Sequence, residues 1–249
     1  MWVLRETKEW LLLCGVVLSL ALIAIVNYRL PLPHCFEGTW AAPLLRSDAT
    51  ASVTSDLLVG FVSAYFFYLI IELIPQRRKE EQTLRPLNML VASVIDAYER
   101  MRVFGHETPI TSIDLGVLDV AKLKAHKADI VIRPNFLRLK FAMETGHSRY
   151  QDVQHSLTLA AAVSPEHALD WLVLTDKLRL LAAEYATYPV NPFSKNDLGQ
   201  PTEEQKQDVL AMAEYTDYQD KMKGFEGTLQ LRVLEVFEAA IFWMERQAS

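Results

Sequence analysis

Leu69–Gln82 reads LIIELIPQRRKEEQ. A glutamate sits inside an apolar run, a proline comes next, and then three basic residues arrive together. The preceding run, Leu57–Ile71 (LLVGFVSAYFFYLII), carries no charge, and Glu72 is the one interruption before Ile74. The stretch reaches the roughly 17–25 apolar residues that a membrane span needs at about 1.5 Å rise each. Glu72 lies about 7.5 Å along the helix axis from Arg77 at that rise. Its carboxylate is expected to snorkel toward the headgroups or to pair with Arg77 or Arg78. The functional alternative is a ring of Glu72 carboxylates at the cytoplasmic mouth of an oligomeric pore. Pro75 should end or kink the helix where water returns.

A second apolar run lies upstream. Trp10–Val26 (WLLLCGVVLSLALIAIV) has no charge and is bracketed by Trp10 and Tyr28, as aromatic residues bracket a span at the two interfaces. A soluble helix of this length would show a polar stripe. No small-x-small cleavage site comes after it, which favours a signal anchor over a cleaved signal peptide. Leu13 is too bulky for lipoprotein processing at Cys14. Arg5 and Lys8 precede the first span, and Arg77, Arg78 and Lys79 come after the second. Loop 29–56 has only Arg29 and Arg46. The positive-inside rule therefore places both termini in the cytoplasm, with Arg77, Arg78 and Lys79 fixing the topology. The expected order is a cytoplasmic N-terminus and first span (1–28), a short external loop (29–56), a second span (57–75) and a cytoplasmic domain (76–249). The expected location is a bacterial inner membrane.

The chain has 249 residues, a formal net charge of −6 and two cysteines. The segment after the second span is long enough for one domain with its own core. Cys14 falls in the first span and Cys35 in the external loop, a span length apart, so they cannot pair within one chain. Cys14 suits packing as a small hydrophobe, and Cys35 could bridge two chains in an oxidising compartment. Gly15 with Ser19, and Gly60 with Ala64, form small-xxx-small pairs of the kind that let membrane helices approach closely. They could join copies in a homo-oligomer or dock the two spans of one chain.

The rest reads as helical, and the fold class expected is all-α: a two-helix transmembrane hairpin followed by a cytoplasmic bundle of five to seven helices. Leu84–Phe104, Ser112–Lys127 and His147–Val163 are helix candidates; Ala128–Phe136 is the best strand signal, cut short by Pro134. The clearest helix begins at Ser164, an N-cap, with Pro165 at its first position and Glu166 at its positive end. Leu169, Leu172, Val173, Asp176, Leu180 and Ala183 share one broad face. Residues 188–201 (YPVNPFSKNDLGQP) read as a mobile surface loop. Thr202 and Gln205 form a capping box, Gly224 and Gly227 suggest a break, and Leu229, Val233, Val236, Phe237, Ala240, Ile241 and Met244 form the face of a last helix.

No phosphate-binding glycine loop, GxSxG, HExxH or CxxC occurs. No catalytic residue, metal site or cofactor is assigned. His147 and His155 share a helix face without a completing carboxylate, and Glu166–His167 is explained by its helix start. The charge pattern says more. Lys122, Lys124, Lys127, Arg133, Arg138, Lys140 and Arg149 stand against Asp129 and Glu144, seven minus two, whereas residues 196–249 carry eleven acids and five bases. The two segments are expected to face each other, within the domain or between neighbours. The sharper reading is a contact for a cytoplasmic protein or an anionic ligand, such as a lipid headgroup or phosphorylated molecule. Nucleic acid is not expected of an acidic chain without a binding motif.

With YFFYLIIELIPQRRK closing the second span, the layout resembles bacterial membrane proteins that carry two N-terminal spans and a helical cytoplasmic domain. The resemblance implies that architecture and no particular activity. Two functions compete. One is a non-enzymatic sensor whose spans report a ligand or partner, for instance by altering permeability as an oligomer. The other is a passive anchor carrying an interaction scaffold. An enzyme built from dispersed polar residues is the third class.

Overall fold

The structure, a computed structural model, describes residues 7–28, 48–102 and 104–248. It is all-α, with no strand among the described residues. The chain divides into two compact units, Met1–Glu81 and Gln82–Ser249.

In the first unit α1 (Thr7–Tyr28) packs on α2 (Asp48–Tyr68). Near the start of α1, Glu9 reaches Arg77 at 3.4 Å, while a Cβ at Gly15 would lie 3.6 Å from the Phe61 ring. Moving up α1 thus meets earlier residues of α2 and of the helical stretch that continues from it, so the two run antiparallel. One helix among the described residues is long and apolar enough to cross a membrane: it runs from Ser55 to Arg100, and its apolar window has mean hydropathy 2.2 with 11% buried. Segments 1–6 and 29–47 lie outside the described residues, and with them the readings of Arg5, Arg29, Cys35, Arg46 and most of the external loop.

Two local alternatives fall away here. Pro75 does not end the helix. A π-helical segment, Leu69–Leu73, precedes it, with the Ile74 N–H donating to Leu69 O five residues back, and α3 (Ile74–Arg100) continues directly. Proline lacks an N–H and crowds the carbonyl four residues earlier; the wider π turn leaves room for that mismatch. Arg77 pairs with Glu9 and with Glu80 at 3.1 Å, not with Glu72, which stays exposed. Arg78 and Lys79 are exposed as well.

The second unit holds α3 from Gln82 onward, α4 (Val120–Ile132), α5 (Phe136–His155), α6 (Leu157–Val163), α7 (Pro165–Ala183) and α8 (Val209–Ala248). Several starts have a local cause. Asp119 accepts from Lys122 N at 3.0 Å, Asn135 from Arg138 N at 3.3 Å, and Ser164 from His167 N at 3.2 Å ahead of Pro165. The candidate helix at Ser112–Lys127 begins only at Val120; Gly116 lies in a 3-10 turn, Leu115–Leu118. The strand signal at Ala128–Phe136 is the end of α4 and the start of α5, since Ile130 is fully buried by helical packing. His147–Val163 splits at Ser156, close to where the Trp171 indole takes the Val153 carbonyl at 3.1 Å.

Gly224 and Gly227 do not break α8. Phe225 and Leu229 are buried on either side of Gly227, and their packing holds the backbone helical. The Thr202–Gln205 capping box forms reciprocally, at 3.3 and 2.9 Å, but heads only a 3-10 turn, Gln205–Gln207; Asp208 then caps α8. Residues 188–201 are tied by Asn191 Nδ2 to Gly199 O, by Asn196 Nδ2 to Gln205 Oε1, and by buried Phe193 against Tyr215. A left-handed backbone at Leu198 and Gly199 makes the turn.

The core gathers α3, α4, α5, α7 and α8. Trp171 meets Trp243 at 5.1 Å between centroids, Tyr98 meets Phe237 at 5.1 Å, and the Trp243 indole donates to Asn88 Oδ1 at 2.7 Å. On the predicted face of α8, Leu229, Val233, Val236, Phe237, Ala240 and Ile241 are buried and Met244 is partly buried. The predicted face of α7 is not. Trp171, Leu174, Leu178, Leu181 and Ala182 enter the core, and Leu169, Leu172 and Val173 point outward. Both sides of α7 are apolar, so periodicity could not choose between them; the indole and the Asp170–Arg246 ion pair did.

Candidate functional site

On α5, Lys140, Glu144, His147, Ser148 and Gln151 fall at i, i+4, i+7, i+8 and i+11, one helix face. Phe104 and Tyr185 lie beside them, and the result is an open groove of about 740 Å³ that Phe141 and Tyr150 also line.

Phe104 is held by what surrounds it. Buried Asp96 takes Arg100 Nε at 2.8 Å and Arg102 Nε at 2.6 Å, and Arg100 also reaches Asp114 at 3.2 Å. The next residue must be glycine: a Cβ at Gly105 would meet Thr145 Oγ1 at 2.7 Å and Ala97 Cβ at 2.9 Å. Beyond it, Arg149 donates to Thr108 O at 3.0 Å. Tyr185 lies just past α7 on a 3-10 turn, Glu184–Thr187, and stacks on His147 with centroids 4.2 Å apart and planes 15° from parallel. His147 Nδ1 lies 3.2 Å from Ala182 O. A carbonyl only accepts, so Nδ1 carries a proton and donates it to Ala182 O. Lys140 stands 3.7 Å from Glu144 and 5.3 Å from the Tyr188 ring.

The groove therefore offers aromatic walls, one ion-paired cation, one carboxylate and one oriented imidazole. Such a set recognises a flat or amphipathic group by stacking and a few hydrogen bonds. No hydrogen bond joins the Ser148 hydroxyl to His147 among the described residues.

Of the residues singled out from sequence, only Lys140 and His147 line this groove. The basic segment is largely engaged within the chain. Lys124 reaches Glu245 at 2.6 Å and Lys127 reaches Glu238 at 2.7 Å, both on the acidic C-terminal helix. Arg138 is 3.7 Å from Asp129, Arg149 is 3.7 Å from Asp152, and Lys122 Nζ donates to Gly116 O at 3.2 Å. Arg133 is exposed just past α4. His155 is exposed, and His167 is buried against Trp243 with Nδ1 2.9 Å from Ser164 Oγ, a packing and capping role.

In the first unit, Ser19 is buried, its hydroxyl donating to Gly15 O at 2.8 Å, and Gly15 faces Phe61. Gly60 has open space where a Cβ would be, and Ala64 is exposed, so the two small-residue pairs do not meet. Cys14 is exposed.

Three titratable groups show where charge is held. Burial pushes the Tyr98 phenol up, against the guanidinium of Arg138 beside its ring. Lys177 and then Arg232, at 2.9 and 3.0 Å, hold the Glu235 carboxyl below its ordinary range. Glu166 is held low by its own backbone N–H and by Ser164 at the start of α7.

Phe104 and Tyr185 carry no signal in the sequence; they meet α5 through the tertiary fold. This defines a class of protein: an all-α chain with one helix suited to a bilayer and a groove in its second unit. No protein-family model, curated protein or solved structure matches the chain.

Proposed function

We propose that the chain is a membrane-anchored, non-enzymatic helical module whose second unit, in the cytoplasm, senses a ligand or partner through the α5 groove. α1 and the helix through Ile74 supply two spans with both termini cytoplasmic, and copies associate as an effector that alters membrane permeability. The supporting observation is the outward display of large side chains in the first unit. Leu57, Phe67, Ile70 and Ile71 are 73, 64, 62 and 70% exposed. Hiding each from water is worth about 1.5–3 kcal/mol, which lipid provides. A second reading, in which the spans only anchor a scaffold, is favoured by the internal pairing of the basic residues, since paired cations leave little charge for an anionic ligand.

Alkaline carbonate washing of membranes, followed by labelling with an impermeant thiol reagent, tests the anchor: the chain stays with the membrane and Cys35 labels from outside. Release by the wash overturns the proposal. Overproduction with membrane-potential dyes separates the two readings. Depolarisation that Tyr185→Ala weakens supports the sensor, and an unchanged potential supports the scaffold.

A further inference from the structure

α7 has two apolar sides, and one of them is uncovered. At about 100° per residue, Leu169, Leu172, Val173, Asp176, Leu180 and Ala183, with Arg179 at one edge, fall within a stripe about 120° wide, opposite the core-facing Trp171, Leu174, Leu178 and Leu181. Leu169, Leu172, Val173 and Ala183 are exposed and Leu180 is partly covered. Isolated exposed leucines need no explanation, but a contiguous stripe does.

The stripe is symmetric about Asp176. Leu172 and Leu180 lie four positions to either side, and Leu169 and Ala183 lie seven. Val173 and Arg179 lie three to either side. An antiparallel copy of the same helix, related by a two-fold axis at Asp176, would set each leucine of the inner pair on the other and the large Leu169 on the small Ala183. The charges within the stripe are complementary in the same way. Asp176 and Arg179 are each 53% exposed and bond to each other at 2.8 Å. Across the axis, each Asp176 would find the other copy's Arg179, and the two carboxylates would be flanked by two guanidiniums. Isologous interfaces need this self-complementarity.

We infer that the outer face of α7 is an interface with a second copy of this chain, packed antiparallel about Asp176. The inference names the surface for the oligomer proposed above and does not rest on the groove or on permeability. One helix stripe is smaller than the roughly 800 Å² per partner of a standard interface, so association is weak in dilute solution. Copies sharing one membrane meet at a higher effective concentration.

The test uses the full chain in native membranes, with Cys14→Ser and Cys35→Ser. Asp176→Cys near the axis is expected to give a disulfide-linked dimer on mild oxidation, because helices about 8–10 Å apart bring facing backbones within disulfide reach. Leu198→Cys, on an exposed turn, serves as the control. Adding Leu172→Glu should lower the dimer yield at least tenfold. In a second measurement, energy transfer between two differently labelled copies should fall with Asp176→Arg or Arg179→Asp alone and recover when both are present. Equal cross-linking at Asp176→Cys and Leu198→Cys, with no recovery in the paired charge swap, overturns the interface. A polarity-sensitive dye on Asp176→Cys that responds to added lipid vesicles without dimer formation overturns it too, and assigns the face to lipid. Loss of depolarisation with cross-linking intact would count against the effector reading and leave this interface standing.

Discussion

The two units solve the same problem with opposite surfaces. In the first, Leu57, Phe66, Phe67 and Ile71 face outward, while the few buried groups include Glu9 and Ser19. In the second, Trp171, Trp243, Tyr98 and Phe237 are wholly enclosed. Apolar content alone therefore does not say whether a side chain is covered; the packing within its own unit does. α7 is the informative exception, since it belongs to the second unit yet wears an outer stripe like those of the first.

The largest test of this contrast is to empty one core and trim the other surface. Trp171→Ala should cost the second unit about 3–5 kcal/mol, whereas Phe67→Ala should leave its unfolding transition unmoved. Chemical denaturation of the detergent-solubilised chain reads both. Equal shifts would erase the distinction between the units.

Asp96→Ala is expected to cost about 2 kcal/mol, because it removes the buried carboxylate that forms ion pairs with two arginines, both of which can still reach water. Its second effect is specific: the residues after Arg100 should exchange amide hydrogens faster around Phe104 and Gly105. Destabilisation without that local loosening would separate Asp96 from the groove wall.

Glu235 supplies the pH test. Its folded pKa lies below its unfolded value, so its contribution is present above the unfolded value and is lost as pH falls through the folded one. Glu235→Gln should therefore be less stable than the parent at neutral pH, and the gap should close in acid. A gap that stays constant down through the carboxylate range would show that the Lys177 and Arg232 contacts do not set it.

Smaller and opposite in sign, Gly224→Ala and Gly227→Ala should each stabilise the second unit by about 0.5–1 kcal/mol, since helical glycine is entropically costly. Neither position has an atom within 4 Å of an added Cβ. A loss of stability at either would mean that α8 needs its glycines. The smallest expected effect belongs to the first unit: Glu72→Gln should leave membrane integration unchanged, as an exposed group outside the Arg77 pairs. Failure to integrate would show that the charge itself places the helix.

Much of this protein is legible in its residue order. The all-α class comes from helical periodicity and scarce β-branched runs. The Ser164–Pro165 start, the Thr202–Gln205 box and the face of α8 depend on neighbours within a few residues, and sequence order fixes those. The uncharged run before IPQRRK determined that one helix would suit a bilayer. What the tertiary structure alone decided was every choice among equals. It picked the side of α7 that enters the core, because Trp171 needed the Val153 carbonyl and Asp170 needed Arg246. It kept α8 continuous through two glycines, because Phe225 and Leu229 were already anchored. It built the groove from Phe104, His147 and Tyr185, far apart in the chain, and it committed most of the basic segment to internal partners. Local patterns are set by short-range sterics and hydrogen bonding, which sequence encodes directly. Partner choice among distant groups is set by packing and desolvation, which exist only once the chain has folded.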